Sequence, residues 1–221
     1  MSVPGATSTT PQRRVPQQER SRRLVDGLLD AAQRIVVERG VDALTTRDIA
    51  EEADAPVASL YQYFSAKEDV LLALALRDMA EMDEQVANDL GELEVLSISS
   101  IVRTTMLAFV SVYRRRPAFV EIYLRGRTNQ AVHQFGRDHN LQVAEELRGF
   151  AIAAGLASEN LSVKVAQLAV EVGDRVFQLA YADDVDGDGE MVEEGILLVT
   201  AYLERYATPA GLEGVSAGGQ P

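Results

Sequence analysis

Apolar residues recur at intervals of three and four along most of the chain, and no stretch shows the strict alternation of a half-buried strand. The first long stretch has an apolar stripe from Leu24 to Val36, and we expect this helix to end at Gly40 in a left-handed conformation. Further helices are predicted at about residues 67–90, 97–115, 117–128, 131–154, 159–182 and 189–206. The pattern therefore predicts an all-α fold.

Two short helices joined by a tight turn are predicted between residues 44 and 64. Thr45 can cap the free amides of the first helix, and Asp48, three residues later, completes a capping-box pattern. Asp54 tolerates a left-handed turn, and Pro56 ends the first helix and suits the opening of the second, predicted over 57–64. The inward-facing apolar positions would be Ile49, Ala50, Ala53, Leu60 and Phe64. This arrangement is a helix-turn-helix pattern.

The next helix is expected almost immediately, because Ser65 and Glu68 form another capping-box pattern. Tyr61 and Tyr63 cannot both face a core on so short a helix, so at least one should be exposed. An exposed tyrosine next to a helix-turn-helix is explained by binding and not by core packing.

The segments Leu44 to Ala50 and Ser59 to Phe64, followed by Lys67 and Glu68, resemble the DNA-binding domain of the tetracycline-repressor (TetR) family of regulators. The resemblance covers about residues 22–72. It departs from the family pattern in the turn, where Asp54-Ala55 replaces the common Gly-Val and Pro56 takes a position often held by Ser or Thr. This departure bears on how the second short helix is oriented.

The resemblance implies that residues 57–64 form a recognition helix for double-stranded DNA. Val57, Ala58 and Gln62 would lie nearest the base edges, because small apolar groups meet a thymine methyl and glutamine bonds adenine. The residues expected to hold phosphates and fix the register are Thr46, Arg47, Ser59, Tyr61, Tyr63 and Lys67. These contacts would contribute to the affinity for DNA more than to the discrimination between DNA sequences.

The charge distribution agrees with an N-terminal face for phosphate. The chain has a net charge of −13, but residues 1–67 hold nine basic and nine acidic residues, so all of the net charge lies in residues 68–221. Five arginines and only one acid, Glu19, occur in the first 23 residues. The sequence alone is equally compatible with an arginine tail that contacts DNA and with one that is merely solvated.

The last two long helices are apolar on more than one face, which indicates packing both within a subunit and across an interface. The resemblance implies the same, a homodimer joined by these two helices. The expected interface residues are Leu168, Val172, Gly173, Val176, Gly195, Leu198 and Tyr202. A two-fold dimer would bind a palindromic operator.

The resemblance also implies a pocket for a small-molecule effector, which the sequence does not identify. Met and aromatic side chains accommodate apolar ligands, although they fill a core equally well, and core packing is the simpler role for any single one. The candidates are Met79, Met82, Met106, Phe109, Tyr113, Phe119, Tyr123 and Phe177.

The chain divides into four regions. We expect a flexible basic tail at 1–19, a DNA-binding domain at 20–66, an effector and dimerisation domain at 67–206 and a disordered tail at 207–221. The chain has no cysteine, no leader-like apolar segment and no run of about 20 apolar residues, so a cytoplasmic location away from membranes is expected.

The alternative is a calcium- or small-molecule-binding all-α protein without DNA-binding activity. Residues 184–189 match the first half of an EF-hand loop, but Gly195 stands where the loop requires glutamate, so no metal is predicted. His133 and His139 lie on different helix faces and are expected at the surface. No phosphate loop, nucleophile elbow or zinc-protease motif occurs, so neither an enzyme nor a cofactor is expected.

Overall fold

The computed structural model describes residues 17–126 and 130–216. Its α-helices are α1 (Gln17–Arg39), α2 (Thr46–Glu52), α3 (Val57–Leu60), α4 (Lys67–Gly91), α5 (Ile98–Arg115), α6 (Pro117–Phe119), α7 (Gln130–Ala153), α8 (Val163–Ala180), α9 (Gly189–Glu204) and α10 (Pro209–Glu213). Two short strands, β1 (Val95–Leu96) and β2 (Val215–Ser216), pair antiparallel. The predicted all-α class is confirmed, and none of the described helices is long and apolar enough to span a membrane.

Helices α1, α2 and α3 and the start of α4 enclose a small core. Leu28 and Ile35 from α1, Ile49 from α2 and Leu60 from α3 are almost completely buried. Each such side chain stabilises the fold by about 1.5–3 kcal/mol relative to the exposed state. Thr45 caps α2 as predicted, because its hydroxyl accepts a hydrogen bond of 3.1 Å from the Asp48 amide.

The start of α1 and the residue that follows it differ in detail from the predictions. Residues 17–19, expected in the flexible tail, belong to α1, and the rest of that predicted tail lies outside the described residues. Gly40 follows α1, but its φ of 81° and ψ of 165° are extended glycine angles and not the left-handed helical ones predicted. Only glycine adopts this region readily, so the chain direction changes here without strain.

Helix α4 belongs to two cores. Val70 and Leu71 near its start pack with the first three helices, whereas Met79 and Met82 are buried against α5 and α7. The predicted capping box at its start pairs Ser65 with Glu68, which is wrong by one residue. The hydrogen bond from the Ser65 amide, at 2.8 Å, is accepted by Asp69. Hydrogen bonds from Ser65 lower the pKa of Asp69.

The larger bundle is built from α4, α5, α7, α8 and α9, with α5 packed between α4 and α9 and with α8 packed between α7 and α9. The helix predicted at 117–128 is interrupted, because α6 gives way to a π-helical turn at Val120–Leu124. The helix predicted from 159 begins only at Val163, where Ser162 caps it. Local periodicity does not reveal such irregular turns.

Residues 208–216 contradict the predicted disordered tail. The Thr208 hydroxyl donates a 2.6 Å hydrogen bond to the Gly155 carbonyl, and Ser216 pairs with Val95 in the two-stranded sheet. Because these partners lie far away in the chain, the local composition gives no sign of them. Residues 217–221 of the predicted tail lie outside the described residues.

A buried charge cluster joins α1, α4 and the corner between α5 and α6. The Asp78 carboxylate is fully buried and lies 3.5 Å from Arg77 Nε and 3.7 Å from Arg116 Nε. Burial raises the pKa of Asp78 despite these two cations. Arg77 also bonds Asp30 of α1 at 2.7 Å, and Arg116 bonds Glu81 at 2.7 Å. The cluster therefore ties the small N-terminal core to the larger bundle.

Replacing Arg116 with Met should lower the free energy of unfolding by on the order of 2 kcal/mol, because Asp78 stays buried with one cation fewer. Arg103→Met is the matched control. Arg103 pairs with Glu193 in a half-exposed ion pair, which contributes about 1 kcal/mol or less. Urea denaturation of both variants measures the difference, and equal losses would contradict a structural role for the cluster.

Candidate nucleic-acid interface

A tight turn sets α3 at an angle to α2. The Ala53 amide bonds the Ile49 carbonyl at 3.0 Å and the Ala55 amide bonds the Ala50 carbonyl at 2.9 Å, which closes the end of α2. Asp54 has a φ of 49°, the left-handed conformation that the sequence predicts for it. Pro56, with a φ of −60°, then stands at the N-cap of α3.

Helix α3 is shorter than the predicted 57–64. It ends at Leu60, and the amides of Gln62 and Tyr63 bond carbonyls only three residues back, at 3.3 and 3.0 Å. The Phe64 amide returns to the Leu60 carbonyl at 3.0 Å. The segment after Leu60 is therefore a succession of tight turns, which still brings Phe64 into the core.

The residues predicted to contact DNA are here called the α3 surface. Leu60 and Phe64 anchor the segment with exposures of only 0 and 7%, whereas Tyr61 exposes 54% and Tyr63 exposes 39%. The exposed members of the surface are Arg47, Val57, Ala58, Tyr61, Gln62 and Tyr63, and Thr46, Ser59 and Lys67 are half-buried beside them. None of the nine predicted residues is fully buried.

Both tyrosines have fixed hydroxyls. The Tyr61 hydroxyl lies 3.0 Å from Thr46 Oγ1 at the start of α2, and the Tyr63 hydroxyl donates to Ser21 Oγ at 2.9 Å. The rings stay exposed while their ends are held, so these side chains are ordered before any partner binds. Preordered side chains lose less conformational entropy on binding.

The start of α1 also belongs to this region, although the helix-turn-helix pattern does not include it. Ser21 touches Tyr63, and its neighbours Arg20 and Arg22 are exposed. The available signal is the run of five arginines in the first 23 residues, only two of which fall in the predicted tail at 1–19. Since α1 already begins at Gln17, three of those five arginines lie on a helix beside the α3 surface.

A second surface is apolar and lies on α8 and α9. Leu168 and Leu198 expose 51 and 55% of their surface and, with Val172 and Tyr202, line a shallow groove. These four residues, here called the α8–α9 surface, are all among those predicted at a dimer interface. Leu197, 61% exposed on α9, adds to the apolar area of that helix.

The other three residues predicted at the interface lie inside the subunit. A Cβ atom at Gly195 would sit 2.4 Å from Val176 Cγ1, so these two residues form the close contact of α8 with α9. Gly173 is buried and lines an internal cavity. The prediction failed here because a helix that is apolar on two faces does not reveal which face points inward.

An internal cavity of about 100 Å³, here called the inner cavity, lies between α5, α7, α8 and α9. Three predicted pocket residues line it: Met106, Phe109 and Phe177. The other five, Met79, Met82, Tyr113, Phe119 and Tyr123, are buried in the core away from its wall. Tyr113, for example, stacks on Phe119 with ring centres 5.9 Å apart. Burial of a large side chain does not by itself indicate an adjacent empty space.

The histidines and the acidic loop play structural parts. His139 is buried, contrary to the prediction, and its Nε2 lies 2.9 Å from Asp83 Oδ1, which links α7 to α4. Asp188 caps α9 by accepting hydrogen bonds from the Glu190 and Met191 amides. Within residues 17–126 and 130–216 no group of three or more potential metal-ligating side chains occurs.

The N-terminal region matches the model of the family described as bacterial regulatory proteins, tetR family, over residues 28–74. The chain is 33% identical over 75 residues to the HTH-type transcriptional repressor KstR of Rhodococcus jostii, and 36% identical over 69 residues to the HTH-type transcriptional repressor AcnR of Corynebacterium diphtheriae. These matches cover 34 and 31% of this chain and 34 and 36% of the relatives. The chain thus spans about a third of the length of the curated relatives it matches.

A solved structure extends the similarity beyond this region. The TetR-family transcriptional regulator from Streptomyces coelicolor is 30% identical, with a TM-score of 0.68, and the match covers 83% of this chain and 99% of that one. The chain belongs to the TetR family. All residues of the α3 surface lie in the stretch covered by the family model, whereas the α8–α9 surface and the inner cavity lie outside it.

Asp54 is the point where this TetR-family chain departs from the glycine expected in the turn. Asp54→Gly should raise the free energy of unfolding by on the order of 1 kcal/mol, because a side chain at positive φ costs about that much. Asp54→Ala should lower it, since alanine tolerates this region less well than aspartate. Thermal unfolding of the three proteins gives the order, and a glycine variant less stable than the parent would contradict the expectation.

Proposed function

We propose that this chain is a DNA-binding repressor that acts as a homodimer on a palindromic operator and is released by a small-molecule effector. The observation that carries the proposal is the exposed α3 surface, anchored by Leu60 and Phe64, in a chain of the TetR family. The proposal includes no catalytic step, metal or cofactor.

The α3 surface has the chemistry of a major-groove contact. Val57 and Ala58 present small apolar groups at the start of α3, which suit thymine methyls, and Gln62 presents an amide that pairs with adenine. The first residues of a recognition helix are the ones that meet base edges in helix-turn-helix proteins. Discrimination between DNA sequences therefore depends on these three residues.

The phosphate contacts surround this patch. Thr46 and Tyr61 supply hydroxyls, and Arg47 and Lys67 supply positive charge, with Arg20 and Arg22 of α1 as additional cations. Lys67 is the first residue of α4, so it lies at the positive end of the helix dipole, which also favours an anion. The negative charge of residues 68–221 discourages contact of the remaining surface with DNA.

The α8–α9 surface supports a two-fold dimer. Exposed leucines on adjacent helices form a contiguous apolar area, which is typical of a surface that another protein covers. A two-fold axis through this surface would place two α3 surfaces on one side of a DNA duplex. The operator is then an inverted repeat.

The inner cavity supports a ligand response. Its volume of about 100 Å³ is below the about 300–1,000 Å³ typical of ligand sites, so the surrounding helices have to move apart when an effector binds. Displacement of α5 and α7 reaches α4, which both helices contact, and α4 leads to the α3 surface. The effector releases DNA because it binds the expanded, DNA-incompetent state more tightly.

Lys67→Ala should weaken the binding of an operator duplex about tenfold. It should also reduce the slope of log affinity against log salt concentration by about one, because one phosphate contact is lost. Lys164→Ala, which removes an exposed lysine near the start of α8, is the matched control and should leave both values unchanged. Fluorescence anisotropy across a salt series measures both. A flat salt dependence of the parent protein would count against DNA binding through this surface.

Leu198→Glu should convert the dimer to a monomer, since a charge in the centre of a buried apolar contact remains desolvated and unpaired. Leu212→Glu provides a control of equal exposure, because Leu212 of α10 is 54% exposed and Leu198 is 55% exposed. Sedimentation equilibrium distinguishes the two outcomes. A dimer that persists in Leu198→Glu would place the interface elsewhere.

A further inference from the structure

The inner cavity adjoins a larger groove at the surface of the molecule. Phe109, Val143 and Leu147 line the inner cavity and also line this groove, here called the outer groove, of about 320 Å³ between α4, α5 and α7. Together the two spaces reach the about 300–1,000 Å³ of a typical ligand site once these three side chains turn aside. Rotation of these side chains admits a ligand from the groove, and the helices then move apart to seat it.

One acidic side chain lies deep in this space. Asp174 of α8 lines the inner cavity, where it accepts hydrogen bonds from the Tyr123 hydroxyl and from Gln178 Nε2, the latter at 2.7 Å. Burial raises the pKa of Asp174 to about 6, so the carboxylate is ionised at neutral pH but poorly solvated. Within the described residues no lysine or arginine lies within ion-pair distance of it.

The groups that face Asp174 do not supply a strong cation. Among the described residues, Glu171 on the same helix adds negative charge, Tyr123 is neutral, and His133 of α7 is the one neighbour with a basic side chain. His133 Nε2 lies 2.8 Å from the Gly126 carbonyl. A half-buried carboxylate that has two hydrogen bonds and, among the described residues, no permanent counter-ion favours a cationic partner.

The basic side chain of the cavity lies at its other end. Tyr123 bonds both Asp174 and Asn140, so Asn140 lies at the same end of the cavity as Asp174. Arg148 lies eight residues after Asn140 on α7, which is about 12 Å along the helix. Arg148 Nε is already bonded to the Leu161 carbonyl at 2.5 Å. A positive group seated at Asp174 is therefore well separated from the positive charge of Arg148.

The approach to the cavity is also acidic. Asp83 and Glu146 line the outer groove, and no basic residue lies in its wall within the part of the chain that the structure describes. Residues 68–221 carry the whole net charge of −13. Such a field concentrates cations and repels anions at the groove. The acidic entrance and the acidic end of the cavity thus select the same kind of ligand.

We propose that the effector of this protein is a lipophilic amine, which enters through the outer groove past Phe109 and Leu147 and seats its positive group against Asp174. The inference rests on the proposed ligand-responsive function and specifies the ligand class. The apolar part of the ligand fills the inner cavity between Met106 and Phe177, where most of the lining side chains are apolar.

Three ligands with the same eight-carbon chain test the class directly: n-octylamine, n-octanol and n-octanoate. On the full-length protein at pH 7.5, octylamine should raise the melting temperature most, octanol less, and octanoate not at all. Titration calorimetry gives the affinities in the same order. This ranking needs no variant, so it stands even if a substituted protein fails to fold.

Asp174→Asn should weaken octylamine binding about tenfold or more and leave octanol binding unchanged, because only the charge pair is lost. The same variant should melt at a higher temperature than the parent without ligand, since it no longer buries a charge. Asp138→Asn, which removes an exposed carboxylate of α7, is the matched control and should bind octylamine like the parent.

Octanoate binding equal to or tighter than octylamine binding, an unchanged octylamine affinity in Asp174→Asn, or no binding of any of the three ligands would each overturn the proposal. DNA binding of the ligand-free parent is measured separately. If that parent binds an inverted repeat but does not prefer the amine, only the ligand class is wrong. If it binds no DNA at all, the proposed function itself fails.

Discussion

The arrangement of this molecule depends on one continuous helix, α4, which has to complete two cores at once. Its first turns bury Val70 and Leu71 among α1 to α3, and its later turns bury Met79 and Met82 in the larger bundle. A helix of 25 residues behaves as a stiff rod, so a displacement of its second half also moves its start. That start adjoins the α3 surface, which is why a distant cavity can change how this surface is presented.

The charge distribution also differs between the N-terminal part of the chain and the larger bundle. The part that presents the α3 surface is neutral overall and has its arginines near one end, whereas the rest of the chain is strongly acidic. Two carboxylates stand out within the acidic part. Asp78 is fully buried and has two arginines beside it, whereas Asp174 is half-buried and has no such partner among the described residues. A poorly solvated, weakly compensated carboxylate lowers stability, which makes a ligand a better explanation than folding for its place in a cavity wall.

Local signals in the sequence are enough to predict the helix-turn-helix. Thr45, Pro56 and the left-handed Asp54 each act on their own neighbours, so the pattern specifies the turn directly. Features that depend on distant contacts are not predictable in this way: the pairing of Ser216 with Val95, the inward position of Gly195 against Val176, and the identity of the residues around the cavity. Periodicity identifies a buried face but not its neighbour, and an empty space leaves no pattern in the residues that surround it.

The central claim is that two copies of the α3 surface bind DNA together, related by a two-fold axis. Sequencing the fragments that the purified full-length protein selects from a random DNA pool tests this most directly. We expect enrichment of an inverted repeat whose half-sites have centres about 10–10.5 base pairs apart, or a multiple of that spacing. Recovery of no enriched sequence, or of a single unrepeated motif, would contradict the claim.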